Sequence, residues 1–305
     1  MSNNRREFLR LSASLLASGL VLPFISCDSS TNNNQQAAAD TTGTAGTTAN
    51  NGAQIDFGIQ LWTVKQDMAQ DPKGTLQKLA SYGYKQIESF EGDKGIFWGM
   101  TNKEFSDYLQ SLGMTIISTH ANVKENLEMK AQQAAEIGMK YVIDPYEGPQ
   151  QSLDDFKRMA ERFNEYGQIC QKHGVKFAYH NHDYTFKEIE GVVPQTLLLE
   201  QTDPALVDFE LDMYWVAAGG GNIEDSLKKH SGRYKLGHVK DRMKGATEGD
   251  ASTVIGEGSI DYQPILKVAK NNGMEYFFVE QERFDNDSPM ESSRKNAEAM
   301  KNFRI

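Results

Sequence analysis

Cysteine is nearly absent: the 305 residues contain two, Cys27 and Cys170. Lipid modification would consume Cys27, which leaves no pair for a disulfide within one mature chain. Cys170 lies in the helical stretch FNEYGQICQKHG and is expected to be a small core residue. Positive charge is also scarce. A formal net charge of -10 argues against a nucleic-acid surface, which wants a basic stripe. With six histidines in all, a nuclease that needs ligands for several zinc ions and a DNA track is a poor fit. The segment QLWTVKQD after the first strand pattern has no glycine, so the phosphate-cradling loop of an open doubly wound sheet is missing. Long apolar runs are missing too. The stretch Leu11 to Ile25 is interrupted by serines and falls short of the roughly 20 mostly apolar residues that span a bilayer.

That short run has another reading. Asn4-Arg5-Arg6-Glu7-Phe8-Leu9 is a twin-arginine pattern, the apolar run follows, and FISC ends at Cys27. The order reads as an export signal closing on a lipid-modified cysteine, residues 1–27. Residues 28–54 are almost all Ser, Thr, Asn, Gln, Ala and Gly; such a segment cannot offset its ordering entropy and is expected to be a polar tether. Residues 55–305 remain, roughly 250, the usual size of one eight-fold strand–helix barrel. The chain is therefore expected in the periplasm or cell envelope, touching membrane only through a lipid anchor. The sequence sets no oligomeric state.

Within the body, strand patterns occur at Phe57–Leu61, Gln86–Phe90, Thr115–Thr119, Tyr141–Asp144, Lys176–Tyr179, Val207–Leu211, Tyr234–Val239 and Tyr276–Glu280. Amphipathic helical stretches lie between them. Five of these stretches stop at a glycine, Gly83, Gly113, Gly138, Gly174 and Gly273, the residue that supplies a left-handed close. The expectation is an α/β protein, a single-domain (β/α)8 TIM barrel.

In that register four segments put a metal-binding side chain at a strand end: His180 in FAYHNH, Asp212 in FELD, His238 in LGHVKD and Glu280 in FFVEQE. A closed barrel gathers such ends at one rim. Two imidazoles and two carboxylates suit a divalent ion such as Mn²⁺, Co²⁺, Fe²⁺ or Zn²⁺ better than Mg²⁺. An open site of this kind polarises a carbonyl, which is what removing a neighbouring proton requires. Trp62, Trp98 and Trp215, with Phe97 and Tyr214, follow strands one, two and six and are candidates to cover the C–H faces of a sugar or to pack loops.

From about Gly58 to Phe303 the chain resembles the xylose isomerase-like barrels grouped as sugar phosphate isomerases and epimerases. HNHD after strand five, the Asp after strand six, HVKD, GEGSIDY (Gly256 to Tyr262) and VEQE carry the resemblance. It implies Asp212, His238 and Glu280 as metal ligands and places His180 where many members carry a glutamate. In those members that glutamate opposes the one on strand eight as an acid–base pair, so here Glu280 stands without it. Candidates for the second proton are His182, Lys240, Glu147 and His120; Lys240 is open to three readings, a pKa lowered toward neutrality by a nearby cation, a hydrogen bond to an enolate oxygen, or a salt bridge with Asp241 or a neighbouring carboxylate. Trp62, His120, Glu147, Trp215 and Arg242 are the expected substrate contacts. The implied activity is a metal-dependent isomerase, epimerase or lyase on an unphosphorylated sugar, keto-sugar or 3-keto-glycoside, since an exported enzyme rarely meets sugar phosphates. A carbohydrate-binding lipoprotein that lost catalysis is the competing expectation.

Overall fold

The computed structural model describes residues 53–247 and 249–305. The expected signal and nearly all of the expected tether lie outside the described residues. Ala53 and Gln54, the last two tether positions, pair with the C-terminus: Ile305 N–H donates to the Ala53 carbonyl at 3.0 Å and Gln54 bridges Arg304. Among the described residues no helix is long and apolar enough to cross a membrane.

The strands are β1 (Gly58–Gln60), β2 (Gln86–Phe90), β3 (Thr115–His120), β4 (Tyr141–Asp144), β5 (Lys176–His180), β6 (Val207–Asp212), β7 (Tyr234–Val239), β8 (Asp241–Arg242), β9 (Ser252–Thr253) and β10 (Tyr276–Val279). Eight of them close a barrel in the order β1-β10-β7-β6-β5-β4-β3-β2. Every barrel pairing is parallel. The eight expected strands are these eight, within a residue or two at their ends. β8 and β9 form a separate antiparallel hairpin over the rim, which period-2 patterning missed because two residues a side leave no period to read.

All five closing glycines have positive φ, from +70° at Gly113 to +107° at Gly83, the conformation that ends a helix without steric cost. Helix starts are equally local. Thr101 and Glu104 form a reciprocal capping box, and the Ser152 hydroxyl accepts from Asp155 N–H at 3.3 Å at the head of Leu153–Lys172. The helices Lys65–Gln70, Pro194–Gln201, Met213–Ala218, Ile223–Lys229 and Pro289–Met300 are additional to those read from the sequence. Four of them are eight residues or shorter, too short for a clear apolar stripe.

Strand alternation sets the lumen. The period of two places Lys176, Ala178 and His180 on one face of β5, Asp208, Glu210 and Asp212 on one face of β6, and Phe278 with Glu280 on one face at β10. Low in the barrel a small apolar cluster is built from Ile117, Tyr141, Ile143, Ala178, Leu236 and Phe278. Gly58 is required there: a Cβ at that position would lie 2.5 Å from the Phe278 ring and 2.6 Å from the Gln86 carbonyl oxygen. The larger core packs between strands and the helical shell.

Candidate metal centre and catalytic cavity

The C-terminal ends of β5, β6, β7 and β10 bring His180, Asp212, His238 and Glu280 to the head of the lumen, all buried. His180 Nε2 lies 3.4 Å from Asp212 Oδ2, which lies 3.6 Å from His238 Nδ1, and that nitrogen lies 3.3 Å from Glu280 Oε2. His180, Asp212 and His238 form one group of donors able to hold a metal ion. His238 Nδ1 is buried and makes no hydrogen bond. Spacings of 3.3–3.6 Å between donors are long for hydrogen bonds but match the edges, about 3.3–3.6 Å, of a tetrahedron with bonds of about 2.0–2.2 Å. An orphaned imidazole nitrogen beside two carboxylates and a second imidazole fits a divalent cation, with these four residues as its holders. Burial, with the neighbouring histidines, drives the His180 pKa well below its ordinary value, leaving the neutral ring that ligation needs.

Beneath this group lies a second one, which sequence reasoning missed: Glu88, His120, Glu210 and His238. His238 Nε2 is 2.7 Å from Glu88 Oε1, and His120 Nε2 is 2.7 Å from Glu210 Oε2, whereas the crossed distances are 3.3 Å. That short–long alternation is the signature of two N–H···O hydrogen bonds. A signal for Glu210 was present, since it sits two residues before Asp212 on an inward-facing period of two. Glu88 holds the same position relative to the mouth on β2.

A cavity of about 310 Å³ opens above the metal-binding group, lined by Trp62, Phe90, Glu91, His120, Ala121, Asn122, Pro145, Tyr146, His180, His182, Trp215, Glu280 and Glu282. His182 lies 5.0 Å from the His180 ring, its Nδ1 is buried without a partner, and burial pulls its pKa down to about 4. The ring is neutral and free to hydrogen-bond a ligand. Of the readings open for Lys240, the structure shows the salt bridge with neighbouring carboxylates. The lysine is fully buried, 3.3 Å from Glu280, in close contact with Glu282, and 4.9 Å from the ring centres of both Tyr214 and Trp215. Burial opposes its charge, but the Glu280, Asp212 and Glu282 carboxylates outweigh that and raise its pKa. Glu280 is correspondingly held ionised: burial works against the charge, and Lys240 and His238 more than offset it.

Of the expected substrate contacts, Trp62, His120 and Trp215 line the cavity and Glu147 and Arg242 do not. Glu147 is buried instead in ion pairs with Lys124 at 3.1 Å and Arg162 at 3.0 Å. Arg242 donates to the Ala246 carbonyl and lies over the Tyr214 ring. Trp98 is likewise displaced, buried behind Phe90 with its indole N–H on Ser89 Oγ at 3.2 Å, and Phe97 and Tyr214 are buried packing residues. The aromatic faces the sequence did not single out are Phe90 and Tyr146, the latter 55% exposed. GEGSIDY is a structural clasp. Asp241 accepts backbone N–H bonds from Gly256, Gly258 and Ile260 at 2.8–3.1 Å, and the Tyr262 hydroxyl donates to the Lys240 carbonyl at 2.7 Å, which fixes the rim strand that carries Lys240.

Comparison with known proteins agrees with this architecture. An inosose dehydratase of Clostridium perfringens is 28% identical over 197 residues, 59% of this chain and 62% of that relative; the chain thus aligns with less than two thirds of the relative's length. One from Lactiplantibacillus plantarum is 31% identical over 144 residues, 42% of this chain and 47% of the relative. Among solved structures, a sugar phosphate isomerase/epimerase from Parabacteroides distasonis is 26% identical with a TM-score of 0.70, covering 82% of this chain and 94% of that one. The IOLI protein, solved with a binding zinc atom, shares the fold at 19% identity and a TM-score of 0.67, over 80% and 96% of the two chains. The family described as Xylose isomerase-like TIM barrel matches residues 76–303, and the chain belongs to it.

Proposed function

We propose that this protein is a metal-dependent enzyme that removes a proton next to the carbonyl of an unphosphorylated keto-sugar, acting as a lyase or an isomerase. The observation that carries the reading is the orphaned His238 Nδ1 facing Asp212 and Glu280, beside a cavity whose wall includes His180, Glu280 and neutral His182. The inosose dehydratase relatives support it, because a dehydratase expels water by elimination. Among the described residues the cavity wall holds three glutamates and no lysine or arginine, a poor host for a phosphate and a suitable one for a neutral sugar.

His180, Asp212, His238 and Glu280 would hold the cation. Bound there, a divalent ion supplies Lewis-acid polarisation of a carbonyl. Glu280, kept ionised by Lys240 and His238, accepts the proton as the C–H bond breaks, and the electron pair moves onto the carbonyl as an enolate. In elimination the enolate re-forms the carbonyl and expels the oxygen substituent of the β carbon, which takes its proton from the Lys240–Glu282 pair through Glu282, the member that lines the cavity. His182, whose ring lines the cavity, orients the substrate by hydrogen bonding. Trp62 and Trp215 cover the apolar faces of the ring.

The test is turnover of a keto-sugar and a 3-keto-glycoside in deuterated water by the metal-loaded protein. Deuterium next to the carbonyl with an intact skeleton identifies isomerisation or epimerisation, and loss of the β substituent identifies a lyase. Binding of a sugar without either outcome replaces this reading with that of a carbohydrate-binding protein. Export with a lipid at Cys27 belongs to the same proposal, supported by the Arg5-Arg6 and FISC patterns; it is checked by fatty-acid labelling that Cys27→Ala abolishes.

A further inference from the structure

We propose that Glu88 and Glu210 are positioning residues for the metal centre, holding His238 from below so that its Nδ1, and not its Nε2, is presented to the cation. The proposal rests on the metal-dependent reading above. Both carboxylates are fully buried in the lumen, one layer below the mouth, among residues the catalytic steps do not use. Glu88 has a complete set of donors. Its Oε1 accepts from His238 Nε2 at 2.7 Å and from Gln60 Nε2 at 2.9 Å, and its Oε2 accepts from Ser118 Oγ at 2.6 Å. These bonds fix the carboxylate, which in turn commits Nε2–H of His238 to the lower side and leaves Nδ1 as the nitrogen that faces Asp212 and Glu280. Glu210 is the partner brace: its Oε2 binds His120 Nε2 at 2.7 Å and lies 3.3 Å from the same His238 nitrogen. His120 therefore closes the ring of four and stacks on His238, with ring centres 5.4 Å apart. A carboxylate behind a ligating imidazole fixes its tautomer and ring orientation and strengthens it as a donor. The two braces differ in directness, so their removal should differ in effect.

The experiment measures binding of Co²⁺ alone to the metal-free protein by calorimetry, with the visible absorption of the bound ion as a report on ligand geometry. Glu88→Gln should weaken Co²⁺ binding by about 10–100-fold and change the absorption band. Glu210→Gln should do so by a smaller factor, and Ser118→Ala, which only loosens the Glu88 carboxylate, by the least. Thermal midpoints of the metal-free variants separate positioning from folding: a positioning role leaves the metal-free midpoint near that of the parent while affinity falls. If Glu88→Gln does not fold, the ranking of Glu210→Gln and Ser118→Ala against the parent still decides. Unchanged Co²⁺ affinity and absorption in folded variants overturn the positioning role. Failure of the parent protein itself to bind Co²⁺ overturns the metal reading instead, so the two failures are distinguishable.

Discussion

The lower and upper halves of one barrel lumen are built from the same strands and do opposite things. Below, Ile117, Ile143, Ala178, Leu236 and Phe278 fill the space with apolar side chains. Above, Glu88, His120, His180, Glu210, Asp212, His238 and Glu280 crowd buried charge into the adjacent layers. The boundary between the two regimes is one step of strand alternation: Phe278 to Glu280, Ala178 to His180. An apolar plug draws its stability from removing surface from water, about 25 cal/mol per Å². Buried carboxylates and imidazoles draw little from burial, since desolvation costs them heavily unless each is paired. The upper layer is retained by its chemistry and the lower one by its packing.

The largest effect should come from cutting the upper layer. Glu280→Gln is expected to lower turnover of a keto-sugar by about 10²–10⁴-fold, while His182→Ala and Lys240→Met lose smaller factors. Steady-state rates of the metal-loaded variants check the order. A modest loss for Glu280→Gln alongside a collapse for His182→Ala would move the base to His182.

In the lower layer, Phe278→Ala should cost about 3–5 kcal/mol of stability and leave the ligand geometry in place. Urea unfolding of the metal-free protein measures the first, and Co²⁺ absorption the second. Loss of metal binding with stability intact would show that the two layers are not independent.

Gly258→Ala sharpens the contrast at the rim. A Cβ there would lie 2.2 Å from Asp241 Oδ1 and 2.4 Å from the Arg242 carbonyl oxygen, so the clasp under Lys240 must shift. A destabilisation of about 1–3 kcal/mol by thermal or urea unfolding is the expected result. No change in stability would mean that the loop re-forms without Asp241.

The effect that is smallest per step, here per pH unit, concerns a carboxyl pair outside the lumen. Burial, and then Glu147, pushes the Asp144 pKa up to about 7. Because the folded pKa lies above the unfolded one, the folded state holds a proton that the unfolded chain has already lost between about pH 4 and pH 7. Stability should therefore fall as pH rises through that window, by up to about 1.4 kcal/mol per pH unit, and level off above it. Asp144→Asn should flatten that decline, as read from urea midpoints across the range. An unchanged slope would assign the titration to another group.

Much of this layout is visible in the sequence because it depends on near neighbours along the chain. The five closing glycines, the capping box at Thr101 and the period-2 strands all act within a few residues, and all stand where the pattern places them. The strand-end candidates follow from the same logic, since a residue at the end of a parallel barrel strand has one mouth to face. Glu147 shows where the logic stops. It is near a strand end too, yet Lys124 and Arg162, from elsewhere in the chain, hold it in ion pairs away from the cavity wall.

Local order along the chain, then, decided the eight strands and the four residues at their ends. Only tertiary structure decided the charge state of Lys240, held as a cation by three carboxylates brought to it. It also decided which aromatic faces reach the cavity and the pairing of Glu88 with His238, 150 residues apart. Periodicity specifies which side of a strand a residue occupies. Electrostatic energy depends on distances through space, and those distances exist only once the barrel has closed.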